Sequence, residues 1–399
     1  MTKHRHFLRK LAVFSALGGA LTAAAVMGGC GGGGGGVSVV DTLISGTGGW
    51  KWSLPAGFPV PAVPADNPMS DSKVDLGRFL FYDKRLSGNG KQACASCHLQ
   101  DKAFTDGLTV SIGSTGHRTA RSSQPLANVA YSPTLTWANP SLLTLEKQME
   151  VPLFSEDPIE MGLNDSNKAE VLKRLTDLPL YQQKFSAAFG TPDPVSWANV
   201  IKAISAFQRS LISGASRYDQ FVNGKAALTP AEQRGMNLFF GEKAECFHCH
   251  GSLNFNDQLV HASTRVLEKP FHNTGLYNIG GTGAFPEPNR GVFELSGLPK
   301  DMGMFRAPSL RNIEVTAPYM HDGTIQTLEE VLDFYAAGGR NIVSGPHAGD
   351  GRLNPNKSNL ITLINLDAQE RADIVAFLKT LTDHEFLTNP KFSNPFTVP

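Results

Sequence analysis

Cysteine is scarce in this 399-residue chain, and where the five cysteines fall excludes more than their number does. Four stand as two close pairs, Cys94 with Cys97 and Cys246 with Cys249, and the fifth, Cys30, ends an N-terminal apolar segment. None is left for a disulfide framework. Net charge is lacking too: 36 Lys and Arg balance 36 Asp and Glu, and no long basic run follows the first residues, so nucleic acid is not an expected partner. The chain also lacks a long unbroken apolar run. Leu11 to Met27 is interrupted by glycines and is too short and Gly/Ala-rich for a membrane span; after the basic Met1-Thr2-Lys3-His4-Arg5-His6 it reads as an export signal within residues 1–30. Val26-Met27-Gly28-Gly29-Cys30 places small residues before a cysteine, as a lipoprotein cleavage site does. The alternative is ordinary cleavage near Thr22-Ala23-Ala24-Ala25, which would discard Cys30. Residues 31–49, opening on the glycines Gly31 to Gly36, would form a flexible tether. Either way the body is expected in the periplasm, touching a membrane only through a lipid on Cys30.

What the chain does contain is one five-residue string written twice: Cys94-Ala95-Ser96-Cys97-His98 and Cys246-Phe247-His248-Cys249-His250. Two thiols spaced to add to the vinyl groups of a haem, with a histidine next to them to ligate the iron, make the attachment pattern of c-type cytochromes. Two covalently bound haems are therefore expected. A single zinc site using both pairs would need no histidine directly after each, and a redox C-x-x-C needs no repeat.

The repeat extends beyond the pairs. Gly77-Arg78-Phe79-Leu80-Phe81 precedes the first motif and Gly235-Met236-Asn237-Leu238-Phe239-Phe240 the second. Phe104-Thr105-Asp106 follows the first and Phe255-Asn256-Asp257 the second. Each half then closes on a helical pattern, with Ile204, Phe207 and Leu211 in one and Ile374, Phe377 and Leu381 in the other recurring at three and four to give one buried face. A mainly α fold of two tandem cytochrome-c-like haem domains follows, residues 50–224 and 225–390, with long Gly- and Pro-bearing loops over the haems. The boundary is placed near Asn223-Gly224-Lys225, because Thr229 as cap and Pro230 in the first turn announce a new helix. One short hairpin is expected around Phe271 to Ile279.

From about Asn67 to Thr382 the chain resembles the bacterial dihaem cytochrome c peroxidases, a family that includes the MauG-like enzymes. The match is carried by Trp137, by Leu145-Glu146-Lys147-Gln148 with Val151-Pro152 and Glu160-Met161-Gly162, and by Phe305-Arg306-Ala307-Pro308-Ser309-Leu310-Arg311-Asn312 through Thr316-Ala317-Pro318-Tyr319-Met320-His321-Asp322-Gly323. The resemblance implies a first haem held by His98 and able to open on its other face to hydrogen peroxide. Glu160 matches the group that moves a proton between the peroxide oxygens, and Gln148 its hydrogen-bonding neighbour. His117, in the loop Gly113-Ser114-Thr115-Gly116-His117, is a second candidate for that open face, as a resting-state iron ligand; the alternative is a surface histidine.

For the second haem the resemblance implies His250 on one side. The position that carries methionine in the cytochrome-oxidising peroxidases, counted from Pro318, is Tyr335 here, with Met320 and Met304 as alternative ligands. A phenolate is hard and anionic and favours ferric iron, whereas a thioether favours ferrous iron. Tyrosine at that position is similar to the MauG-like subgroup, whose members oxidise side chains of a protein partner. Trp137 matches the tryptophan between the haems. The resemblance also implies a calcium ion between the domains, with Thr316 and Pro318 matching two of its ligands and Ser122 standing where an asparagine is usual. The leading expectation is a periplasmic dihaem peroxidase acting on a partner protein. One alternative is a peroxide-detoxifying enzyme fed by a small cytochrome c or cupredoxin; another is an electron carrier without a substrate.

Overall fold

Ser70 opens the first helix, α1 (Asp71–Tyr82), by leaving extended backbone and accepting the Lys73 amide hydrogen on its side chain, which satisfies one of the unpaired N–H groups of a helix start. The chain is described here over residues 50–190 and 192–396 of a computed structural model; the expected signal, Cys30 and the tether lie outside these residues. The helices that follow are α2 (Leu145–Phe154), α3 (Lys168–Thr176), α4 (Pro179–Phe189), α5 (Trp197–Arg209), α6 (Arg217–Val222), α7 (Pro230–Phe239), α8 (Phe247–His250), α9 (Phe293–Ser296), α10 (Leu328–Ala336), α11 (Ala368–Lys379) and α12 (His384–Thr388). Long loops and single turns of 3₁₀-helix join them, so the fold is mainly α. Among the described residues no helix is long and apolar enough to cross a membrane.

The sequence repeat becomes a repeat of helix crossings. Helix α1 packs on α5, and α7 packs on α11. A Cβ on Gly77 would lie 1.9 Å from the Ala203 carbonyl oxygen, and one on Gly235 would lie 1.8 Å from that of Asp373. Both crossings therefore require glycine for close backbone approach. One turn further along, Phe81 meets Phe207 at a ring separation of 5.2 Å and Phe239 meets Phe377 at 5.3 Å. The residues Ile204, Phe207 and Leu211 are buried in one hydrophobic core, and Ile374, Phe377 and Leu381 in a second. Thr229 accepts the Glu232 amide hydrogen and Pro230 occupies the first turn of α7, as their sequence predicts.

The hairpin lies elsewhere than expected. Around Phe271 to Ile279 there are isolated bridges only, His272 to Phe305 and Ile279 to Ala284. The regular pair is β1 (Asn341–Ile342) antiparallel to β2 (Gly349–Asp350). His272 exchanges both backbone hydrogen bonds with distant Phe305, at 2.7 and 2.9 Å, so the segment is held by a long-range partner that local pattern does not reveal. The last helix also departs from the tandem plan. Phe386 and Leu387 of α12, with Phe392 beyond it, pack into the first core after the chain has completed the second.

Candidate active site

The first motif begins in a 3₁₀ turn, Cys94–Ser96. His98 Nδ1 lies 2.6 Å from the Phe104 carbonyl oxygen. A carbonyl only accepts, so Nδ1 carries the proton and Nε2 keeps its lone pair for a metal. Burial holds the His98 pKa below its ordinary value, which favours this neutral form. The second motif repeats the geometry: His250 Nδ1 is 2.7 Å from the Phe255 carbonyl, and burial again lowers the imidazole's pKa. Phe104 and Phe255 sit at φ 65° and 53°, a backbone region that bulky residues seldom adopt. The repeated triplets are thus the acceptors that set the histidine tautomers. Cys94 packs against the first core and Cys246 against the second, which rules out a single zinc site built from all four sulfurs.

Glu160 follows α2 and is folded back onto it by Met161 N–H donating to the Pro152 carbonyl (2.9 Å) and Leu163 N–H to that of Leu153 (3.3 Å). Burial pushes the Glu160 carboxyl up to about 7. The thiols of Cys94 and Cys97, pushed up first by burial, also feel the Glu160 charge, so the carboxyl lies near the first motif. Gln148 lies on α2, half-buried, and its amide makes no hydrogen bond among the described residues. The helix carrying it is anchored by Glu146, which accepts from Arg209 at 2.8 and 3.0 Å and from Asn67 at 2.7 Å.

The loop bearing His117 lies across this segment. Ser114 N–H donates to the Glu160 carbonyl at 2.7 Å, and a Cβ on Gly113 would lie 1.8 Å from the Ile159 carbonyl. His117 itself is exposed, its Nδ1 accepting from Ile159 N–H at 3.4 Å.

The second motif opens onto a cavity lined chiefly by apolar side chains. Cys246, Cys249 and His250 line it, and so do Tyr335, Trp137 and Met320; Met304 is not among the lining residues. The Tyr335 hydroxyl makes no hydrogen bond among the described residues. Burial, and then the Cys249 and Cys246 sulfurs, push it well above the ordinary phenol range. An unpaired hydroxyl and an imidazole with a free lone pair, both lining one cavity, are a donor set suited to a metal.

Trp137 connects the two sites. Its Nε1–H donates to the Ser122 carbonyl at 2.9 Å, while Ser123 Oγ donates to the Cys97 carbonyl at 2.8 Å and lies 3.3 Å from His98 Nδ1. Ser122 Oγ donates to the carbonyls of Met320 (3.2 Å) and His321 (3.4 Å). Thr316 Oγ1 donates to the Ile313 carbonyl at 3.2 Å. Both hydroxyls are therefore engaged as donors, and an ion among Ser122, Thr316 and Pro318 would draw chiefly on backbone carbonyls.

Residues 71–227 match the family model described as "Di-haem cytochrome c peroxidase". The cytochrome-c peroxidase IdrP1 of Denitromonas iodatirespirans is 36% identical over 87% of this chain and 91% of its own length. The chain belongs to the dihaem cytochrome c peroxidase family. The methylamine utilization protein MauG of Methylorubrum extorquens is 33% identical over 80% of each chain. A solved structure, that of a MauG-like protein associated with microbial copper homeostasis, superposes with a TM-score of 0.86 at 60% identity over 87% of this chain and 100% of its own. This dihaem peroxidase is therefore an enzyme, and its two free Nε2 atoms, its cavity and its unpaired phenol fit the two haems of the family.

Sequence reasoning missed one pair beside the second motif. His272 Nε2 lies 2.5 Å from Asp257 Oδ2, and that bond, with one to Cys249, raises the imidazole to about 10. Asp257 was visible as the end of the repeated triplet; His272 has no repeat partner to point to it.

Proposed function

We propose that this chain is a periplasmic dihaem peroxidase of the MauG-like kind, lipid-anchored through Cys30, with a haem c covalently held by Cys94 and Cys97 and another by Cys246 and Cys249. His98 ligates the first iron and leaves its other face to hydrogen peroxide. His250 and Tyr335 ligate the second. The haems supply the redox chemistry with which peroxide is reduced and a partner protein is oxidised.

The residues supply the rest. Glu160, raised to about 7, is poised to take the proton from one peroxide oxygen and deliver it to the other near neutral pH. The Gln148 amide, without another partner, orients the oxygens. Trp137, hydrogen-bonded to Ser122 and lining the second cavity, is the relay between the sites. His117 serves as a surface residue of the loop that covers Glu160, and its exposure speaks against a resting-state bond to iron. A calcium ion held by the carbonyls of Thr316 and Pro318 with Ser122 joins the two halves. The 60% identity to a MauG-like protein associated with copper homeostasis supports the same setting for this chain.

The unpaired Tyr335 hydroxyl in the second cavity carries this reading, because a phenolate there disfavours ferrous iron and makes the haem a poor entry for mild donors. The test is Tyr335→Met in the haem-loaded protein. The low-spin signal of the diferric enzyme should change, and peroxide-driven oxidation of reduced cytochrome c, slow in the wild type, should accelerate. Rapid turnover of cytochrome c by the wild type, with a low-spin signal indifferent to the substitution, would return the chain to the peroxide-detoxifying class.

A further inference from the structure

The surroundings of the two histidine acceptors share the ring that precedes each motif, Phe81 or Phe239, and differ in what else closes on the acceptor. Beside the second motif the Phe255 ring packs on Tyr218 of α6 at 5.2 Å, and on Phe239, Phe240 and Phe377 at 6.1, 6.2 and 6.3 Å. Each of these belongs to the second core or its edge. In the first half the fully buried Phe104 ring has Phe81 at 5.9 Å and, on another side, Phe386 at 5.7 Å. Phe386 comes from α12, far along the chain. A phenylalanine held in the left-handed backbone region stays there only if its ring is wedged, and here the wedge is supplied by the C-terminal segment.

That segment is firmly tied. Asp383 Oδ2 accepts from Ser213 Oγ (3.0 Å), Gly214 N–H (2.9 Å) and Ala215 N–H (2.9 Å), and Oδ1 accepts from Phe386 N–H (3.1 Å). Beyond α12, Tyr82 Oη donates to the Phe392 carbonyl at 2.7 Å. The Gln100 amide donates to the carbonyls of Phe386 (3.1 Å) and Asn389 (2.9 Å), and its oxygen accepts from Ser393 Oγ (3.0 Å). Gln100 starts the 3₁₀ turn (Gln100–Lys102) that separates His98 from Phe104. The C-terminal segment thus grips both the ring of the acceptor residue and the turn between acceptor and histidine.

We propose that residues 383–396 are a positioning strap for the first haem, in which Phe386 and Gln100 hold the Phe104 carbonyl against His98 Nδ1 and so set the donor strength of His98 toward iron. A carbonyl that draws strongly on the Nδ1 proton makes the imidazole more basic at Nε2. Loosening it weakens the iron–nitrogen bond and favours ferrous iron. The second haem, whose acceptor is wedged by rings of the second core and by none from residues 383–396, does not respond. The inference rests on His98 as the ligand of the first iron, and not on what the enzyme oxidises.

The experiment compares Phe386→Ala, Phe386→Leu and Gln100→Ala with the wild type, all loaded with both haems. In resonance Raman spectra of the reduced proteins, the iron–histidine stretching band of the first haem should fall in frequency in Phe386→Ala and Gln100→Ala, and its midpoint potential should rise. The low-spin signals of the second haem should keep their wild-type positions, and Phe386→Leu should recover most of the shift. Gln100→Ala removes no core ring and keeps the comparison available if Phe386→Ala does not fold. An unshifted band in folded Gln100→Ala, or equal changes at both haems, would overturn the strap. Failure of the ligand assignment looks different: His98→Gly would leave the first haem's wild-type spectrum intact.

Discussion

At the scale of single residues, the informative groups are those whose hydrogen bonds are fixed on one side and open on the other. Glu160 is the one with a pH signature. Its folded pKa of about 7 lies above the ordinary carboxylate value because burial disfavours the charged form. The carboxylate that must accept the peroxide proton is therefore populated only as pH rises through about 7, so the rate of reaction with peroxide should climb over that range in a stopped-flow pH profile. Glu160→Gln should remove that rise and slow the reaction by about 10²–10⁴-fold. Linkage runs the opposite way for stability. A raised carboxyl pKa contributes most below the unfolded value, and that contribution is lost as pH rises through the folded one. Glu160→Gln should therefore raise Tm relative to the wild type at pH 8 but not at pH 4, measured by thermal unfolding. Sequence alone placed Glu160 only through its resemblance to a family motif. Its burial, the property that makes it useful, comes from the fold-back onto Pro152 and Leu153 and from the Ser114 loop.

At the scale of elements, the two glycine crossings are the features on which each half depends. Gly77→Ala would drive a methyl to within 1.9 Å of a carbonyl oxygen in α5, and Gly235→Ala to within 1.8 Å of one in α11. Neither backbone can yield without separating its helices. Each substitution should cost on the order of 2–3 kcal/mol through overpacking, seen as a fall in the denaturant midpoint. These elements were legible in the sequence, because a 3.6-residue apolar period and a glycine at the same place in both halves are local signals. The hairpin was not, since Phe271 to Ile279 is claimed by Phe305 and the actual pair at Asn341 and Asp350 is too short to leave a pattern. The partner of α12 was illegible for the same reason: a five-residue helix says nothing of which core its two apolar residues will join.

At the scale of the whole molecule, two hydrophobic cores share one chain. The buried pair of Arg311 with Asp219, at 2.9 and 3.1 Å, joins α6 to the loop that follows the second motif, where Arg311 also donates to the Leu253 carbonyl at 2.8 Å. Removing one partner leaves an uncompensated buried charge. Asp219→Ala should therefore lower stability by about 3–5 kcal/mol in denaturant titrations. If each motif binds its own haem covalently, denatured wild-type protein should retain two haem equivalents, and the Cys94→Ala, Cys97→Ala double variant one, by absorbance after acid and solvent extraction. The sequence by itself determined the two haem motifs, the helix pairs that flank them and the family, since each is a short-range arrangement of side-chain types that no distant contact can alter. Only tertiary structure decided which carbonyl orients each histidine, how deeply Glu160 is buried, that Tyr335 faces the second cavity unpaired, and that the chain's end returns to the first core. Those are choices of partner between segments far apart in the chain, and packing makes them, not local preference.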